Sequence, residues 1–239
     1  MSANLYCLGS SSQGNAYIVE VENGDKLLIE CGVDFSKILE KCNYEPEKIV
    51  ACIVSHSHGD HSSAIPDAIK YGINVYSTAE CANKFNGVKA LKNVKAYDFK
   101  GFKVLPLEME HNIDCFGFII SHNDFGTIAF FTDTKNIPYY IQHINTLMIE
   151  ANYDKKIVDN AAEKGLPIKS HYDQHLSLDN CISAIKRFNN GDLNQVILLH
   201  LSPNFSDTRA FKEQIFNETG IKCEIAYENK YIFLSKAEF

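Results

Sequence analysis

The sequence predicts an α/β fold in which two mixed β-sheets pack face to face and helices cover their outer sides. Three observations carry that expectation. Short apolar, β-branched segments separated by Gly, Asn and Ser dominate the first third of the chain. Segments with helical spacing are interleaved with further strand-like runs from Ala64 onward. No linker, charge run or repeat divides the 239 residues, so residues 1–239 read as one domain.

The first strand candidates are Leu5 to Leu8, Ala16 to Val21, Leu27 to Cys31 and Ile49 to Val54, with Asn23-Gly24 as a hairpin turn signal between the second and third. Ala64, Ile65, Ala68 and Ile69 are spaced for one helical face that closes at Tyr71-Gly72, which puts His56 to His61 at a strand-to-helix junction. Strands are predicted over Lys103 to Leu107, Phe116 to Ser121, Thr127 to Thr132 and Leu147 to Ala151. A helix over Leu178 to Phe188, a strand over Val196 to Leu199 and an amphipathic helix over Phe205 to Asn217 follow. Strands over Lys222 to Tyr227 and Tyr231 to Ser235 finish the chain.

A composition of 45% hydrophobic and 22% charged residues excludes intrinsic disorder and fibrous repeats. The net charge of −7 repels polyanions on average, so any such partner must meet a local positive centre. Met1 to Cys7 has no basic, apolar leader pattern, and no stretch approaches the ~20 apolar residues of a membrane span, so no membrane partner is expected. The eight cysteines include no CxxC pair, which points to reduced thiols and a cytoplasmic location. No protein partner can be inferred.

The chemistry concentrates in Val54-Ser-His56-Ser-His58-Gly-Asp60-His61, where four metal-ligand side chains follow an apolar strand directly. Further candidates occupy similar places: His111 after Lys103 to Leu107, Asp133 at the end of Ile128-Ala-Phe-Phe-Thr, and His200 at the end of Val196-Ile-Leu-Leu. A carboxylate has two oxygens and can bridge two ions, as an imidazole cannot. The expected set is therefore His56, His58 and His111 on one ion, Asp60, His61 and His200 on a second, and Asp133 shared.

These motifs resemble the metallo-β-lactamase superfamily, whose HxHxDH signature stands here as His56-Ser-His58-Gly-Asp60-His61, with His111, Asp133 and His200 matching its later motifs. Leu8-Gly-Ser-Ser-Ser-Gln-Gly-Asn15, Leu147-Met-Ile-Glu-Ala-Asn152, His175-Leu-Ser177 and His200-Leu-Ser202 are similar to the YycJ/WalJ-like branch. The resemblance implies a four-layer αβ/βα sandwich, two divalent ions (zinc or manganese) and hydrolysis by a metal-activated water. Glu30 stands where many relatives carry a shorter Asp. Together with Glu150, Asn152 and Ser202 it is expected behind the ligands, since ligand imidazoles need partners on their second nitrogen.

For His122, His143 and His171 the bland reading of surface or hydrogen-bonded histidines is preferred. Two readings stand for His175: part of the cap of the helix that Ser177 starts, or a group facing the metals that protonates a leaving group. The Ser10 to Asn15 loop is either a plain turn or a cleft wall. Asp60 is expected to serve catalysis as well as binding.

A dinuclear site of this kind suits phosphodiester hydrolysis, and the branch implies a nucleic-acid or nucleotide substrate, DNA exonuclease-like. Alternatives are a thioesterase or other small-ester hydrolase, and a metal-binding interaction scaffold. A lactamase is disfavoured by Asp133 and by the missing leader, and a diiron redox enzyme by His58. The interval from Asp133 to His200 is too short for the inserted domain of RNA-processing nucleases. Lys169 and Arg209 are the basic residues to inspect beside a cleft.

Overall fold

A computed structural model describes residues 3–165 and 174–236. In chain order the strands are β1 (Ala3–Ser11), β2 (Gly14–Glu20), β3 (Lys26–Ile29), β4 (Ile49–Ile53), β5 (Val75–Ser77), β6 (Lys89–Ala90), β7 (Tyr97–Phe99), β8 (Phe102–Met109), β9 (Cys115–His122), β10 (Gly126–Phe131), β11 (Thr146–Glu150), β12 (Gln195–Leu199), β13 (Cys223–Ile225) and β14 (Lys230–Leu234). The described helices are α1 (Phe35–Lys41), α2 (Gly59–Ser62), α3 (Ile65–Lys70), α4 (Ala79–Lys84), α5 (Lys155–Glu163), α6 (Leu178–Phe188) and α7 (Thr208–Thr219).

The strands form two seven-stranded sheets, ordered β14-β1-β2-β3-β4-β5-β6 and β13-β12-β11-β10-β9-β8-β7. Each sheet is antiparallel in one half and parallel in the other: β3 to β6 and β10 to β13 are the parallel halves. Alternation along the strands sends Leu5, Val19, Leu27 and Ile53 of one sheet and Val104, Phe118, Phe130 and Ile197 of the other into one shared core. The opposite faces carry Ile18, Leu28 and Cys52 under α1 and α3, and Phe131, Leu147 and Leu198 under α6 and α7. The layers are thus helix, sheet, sheet, helix, as expected.

Asn23-Gly24 turns β2 into β3, with Gly24 at φ 85°, a conformation that costs glycine little. The helix expected over Phe205 to Asn217 instead begins at Thr208. Asp207 accepts hydrogen bonds from the amides of Arg209 and Ala210 and so caps the start, while Phe205 packs with Tyr153 and Val158. Helices α1, α4 and α5 were not among the expected elements, although Phe35, Ile38 and Leu39 in α1 and Ile157, Val158 and Ala161 in α5 share one helical face, and each is started by a cap: Asp34, Thr78 and Asp154. No helix among the described residues is long and apolar enough to cross a membrane.

Candidate metal centre

The carboxyl ends of β3, β4, β8, β10, β11 and β12 converge at one edge of the sandwich, where open sheets present side chains to ligands. Phe116 N donates to Ser55 O across the two sheets at 3.0 Å, and His200 N donates to Ser10 Oγ at 3.1 Å, so one backbone and one side-chain bond tie the edge together. Three residues leaving these strands take left-handed backbone: Glu30 (φ 64°), Asp133 (φ 43°) and His200 (φ 51°). Such conformations cost about 1–3 kcal/mol each in non-glycine residues and gather at functional sites.

His56, His58 and His111 come together as one group. His58 Nδ1 lies 3.1 Å from His56 Nε2 and 3.3 Å from His111 Nε2. Atoms held at 2.0–2.1 Å by a tetrahedral ion sit about 3.3–3.4 Å from one another, so this spacing fits one cation. His56 Nδ1 faces Ser55 Oγ at 2.8 Å, which lets the ring carry its proton there and present the Nε2 lone pair inward. Burial holds His56 well below the usual histidine range, helped by the neighbouring His61, and burial also lowers His111. Both rings are therefore neutral, the form in which imidazole ligates.

Asp60, His61, Asp133 and His200 form the second group. His61 Nε2 is 3.3 Å from both Asp60 Oδ2 and Asp133 Oδ1, and His200 Nε2 is 3.4 Å from Asp60 Oδ2. The spacing again fits the edges of a tetrahedral shell. Asp133 turns its other oxygen to the first group, with Oδ2 3.9 Å from His56 Nε2, and Thr132 Oγ1 donates to Oδ1 at 2.8 Å. Burial opposes the charge of Asp133, yet His200 and His61 hold its carboxyl well below the ordinary range. Of four buried side-chain polar atoms without a hydrogen-bond partner among the described residues, Asn15 Oδ1, His61 Nδ1 and His111 Nδ1 belong to this region. The donor set and its spacing fit two divalent cations.

Carboxylates back the second group. Glu30, fully buried, accepts from Ser55 N at 3.2 and 3.3 Å and lies 3.4 Å from His61 Nδ1, so the longer side chain still reaches the loop backbone. Glu150 Oε1 is 3.2 Å from His200 Nδ1 and 2.6 Å from His175 Nδ1. Burial opposes protonation of His200, but Asp133, Asp60 and Glu150 raise it to about 10. His61 is likewise raised against burial by Asp133 and Glu30, and His175 by Glu150. Ser177 caps α6, so the cap does not need the imidazole of His175, which turns to Glu150 and stacks on His200.

Asn152 Nδ2 donates to His200 O at 2.8 Å, and the backbone amide of Ser202 donates to Asn152 O at 2.9 Å. His122 packs on Phe102 and Phe125, and exposed His143 pairs with Asp192, away from the groups above. His171 and Lys169 lie outside the described residues. Arg209 lines a groove between α7 and β13 with Lys212 and Lys222, and none of the ligand candidates lines it. The sequence reading did not single out Ser55, Thr132 or Asn15 as individual residues. Their signal was adjacency: each stands next to a ligand in sequence or in the paired β1–β2 turn.

The architecture and the strand-end site define a metallo-β-lactamase fold. The crystal structure of the metallo-β-lactamase fold protein YhfI from Bacillus subtilis superposes with a TM-score of 0.78 at 17% identity, covering 98% of this chain and 100% of that one. Human tRNase Z, short form, superposes with a TM-score of 0.69 at 16% identity, covering 96% and 98%. In sequence the chain is similar to the exodeoxyribonuclease WalJ of Streptococcus pneumoniae, 26% identical over 170 residues, a match spanning 63% of each protein. A family described as anti-Pycsar protein Apyc1 matches residues 7–70, the stretch from β1 through α3 that contains His56 to His61.

Proposed function

We propose that this chain is a dinuclear metal-dependent phosphodiesterase acting on nucleic acid or nucleotides, in the manner of a DNA exonuclease. The observation that carries the reading is Asp133, whose two oxygens face two different ligand groups. Two divalent cations, zinc or manganese, would there activate a water and neutralise the oxygens of an in-line displacement at phosphorus. His56, His58 and His111 hold one cation; Asp60, His61 and His200 hold the other.

Asp60 keeps 22% of its side chain open, so its carboxylate can also orient the attacking water. Burial would raise its carboxyl, but His200 and His61 hold it below the ordinary range, so it stays an anionic acceptor. His175, with 15% of its side chain open, is turned by Glu150 at Nδ1. Its second proton, on Nε2, is the one a departing alkoxide can take. The exodeoxyribonuclease and tRNase relatives support a nucleic-acid substrate, and the eight buried free thiols support a reducing, cytoplasmic setting.

The test is turnover by protein loaded with Mn²⁺ or Zn²⁺ on single-stranded DNA, duplex DNA, RNA, cyclic dinucleotides and bis-p-nitrophenyl phosphate. Shortening of DNA from its ends is expected. Fully loaded protein that cleaves thioesters but no phosphodiester, or no ester at all, overturns the reading in favour of a thioesterase or a scaffold.

A further inference from the structure

We infer that Asn15 is a positioning residue that sets Asp60 and with it the second cation position; the inference rests on the dinuclear reading above. Asn15 is 1% exposed at the start of β2, deep under the β1–β2 turn. Its Nδ2 faces four polar atoms: Ser11 O at 3.0 Å, His61 Nε2 at 3.1 Å, Asp60 O at 3.2 Å and Asp60 Oδ2 at 3.4 Å. A primary amide has only two hydrogens to give. The His61 Nε2 lone pair is needed by a cation, which leaves the hydrogens to Ser11 O and to Asp60. One side chain thus ties the β1–β2 turn to the backbone and carboxylate of a ligand.

The cost of this arrangement is visible in the same side chain. Asn15 Oδ1 is buried with no hydrogen-bond partner among the described residues, an arrangement that is itself unfavourable. An apolar residue would avoid that cost but would hold neither Ser11 O nor Asp60. Asp60 is gripped from the other side as well. Gly32 N donates to Asn15 O at 2.9 Å, and a Cβ on Gly32 would fall 1.7 Å from Asp60 O. Asp60 O therefore sits between the Asn15 amide and the Gly32 Cα, with no room to drift. The first group has different supports: Ser55 on His56, and Ser62 Oγ on the carbonyl oxygens of Ser57 and His58. Removing the Asn15 amide should loosen one half of the centre and spare the other.

The test reads metal retention, without substrate. Zn²⁺-loaded protein is challenged with graded chelator and the remaining metal counted by mass spectrometry, with thermal melts alongside. Asn15→Ala is placed in a His111→Ala background, which cripples the first group, and in a His200→Ala background, which cripples the second. In the first background Asn15→Ala is expected to weaken retention of the remaining ion by about 10–100-fold, the usual range for a residue behind a ligand. In the second it should change retention less than about twofold. Asn15→Leu, close in size but with no hydrogen to donate, should behave as Asn15→Ala does. Equal weakening in both backgrounds marks a merely structural role and overturns the inference, as does wild-type retention in Asn15→Leu. Because no turnover is measured, either failure leaves the phosphodiesterase reading standing, and absence of turnover leaves this inference standing.

Discussion

His56, His58 and His111 meet a carboxylate, among the described ion pairs, only at the 3.9 Å between His56 Nε2 and Asp133 Oδ2, whereas His61 and His200 are each surrounded by Asp60, Asp133 and a buried glutamate. The two halves of the centre use the same imidazole chemistry in opposite fields. Burial keeps His56 and His111 of the first half neutral, so their lone pairs are ready for a cation. Carboxylates overcome burial in the second half and keep His61 and His200 cationic at neutral pH, so protons must leave before a cation enters. Ligand count alone hides this difference, because it is made by carboxylates both among the ligands, Asp133 and Asp60, and behind them, Glu30 and Glu150.

Asp133 joins the halves, and its loss should have the largest effect. Asp133→Asn is expected to lower turnover by on the order of 10³-fold or more, equivalent to about 4 kcal/mol of transition-state stabilisation, and to weaken both cations. His111→Ala should weaken only one. Metal counting and turnover on the same samples check this, and an Asp133→Asn protein that lost one ion and kept the other at full affinity would break the bridge.

Gly32→Ala tests the second half through its backbone. The added Cβ meets Asp60 backbone, not a flexible side-chain end, so the loop must shift. Overpacking of this kind costs about 3 kcal/mol or more, a fall in Tm of roughly 6–12 °C for a chain this size. Thermal melts measure the loss, and second-half affinity should fall with it. An unchanged Tm would show that the loop is not held as described.

His175→Ala should slow cleavage of a natural nucleotide ester by roughly 10²-fold, yet slow bis-p-nitrophenyl phosphate much less, because nitrophenolate departs without a proton. An unchanged ratio of the two rates in metal-replete protein would count against a general acid. The smallest expected effect is on pH. A group raised to about 10 keeps its proton throughout the neutral range, so cation affinity of the second half should climb as pH rises, up to roughly tenfold per unit for each proton released. First-half affinity should climb less, because His56 and His111 are already neutral. Calorimetry of Zn²⁺ uptake in buffers of different ionisation heat measures the protons released.

Periodicity placed the longer strands and α6 well because their apolar faces are long and alternate cleanly; α6 runs over Leu178–Phe188 as the spacing predicts, whereas β5, β6 and β7, two or three residues each, were too short to show a pattern. It missed α1, α4 and α5, whose boundaries are set by single capping side chains, and it started α7 too early because Phe205 belongs to a separate apolar cluster. All seven ligand candidates stood in the sequence because each follows a strand, and strand ends are visible as the end of an apolar run. What surrounds them was harder to read. Asn15 reaches Asp60 only through the paired β1–β2 turn, and the left-handed backbone at Glu30, Asp133 and His200 has no glycine to announce it. Glu150 was legible as a neighbour of Asn152, but its simultaneous contact with His175 and His200 depends on how two loops fold over β11.

The central claim is one dinuclear centre bridged by Asp133. Anomalous diffraction from crystals of the metal-loaded protein, recorded on both sides of the zinc edge, tests it most directly. The account predicts two peaks about 3.5–4 Å apart, one ringed by His56, His58 and His111, the other by Asp60, His61 and His200, with one Asp133 oxygen on each. Two peaks with both Asp133 oxygens on one ion, or His111 or His200 turned away from the metal, would contradict it.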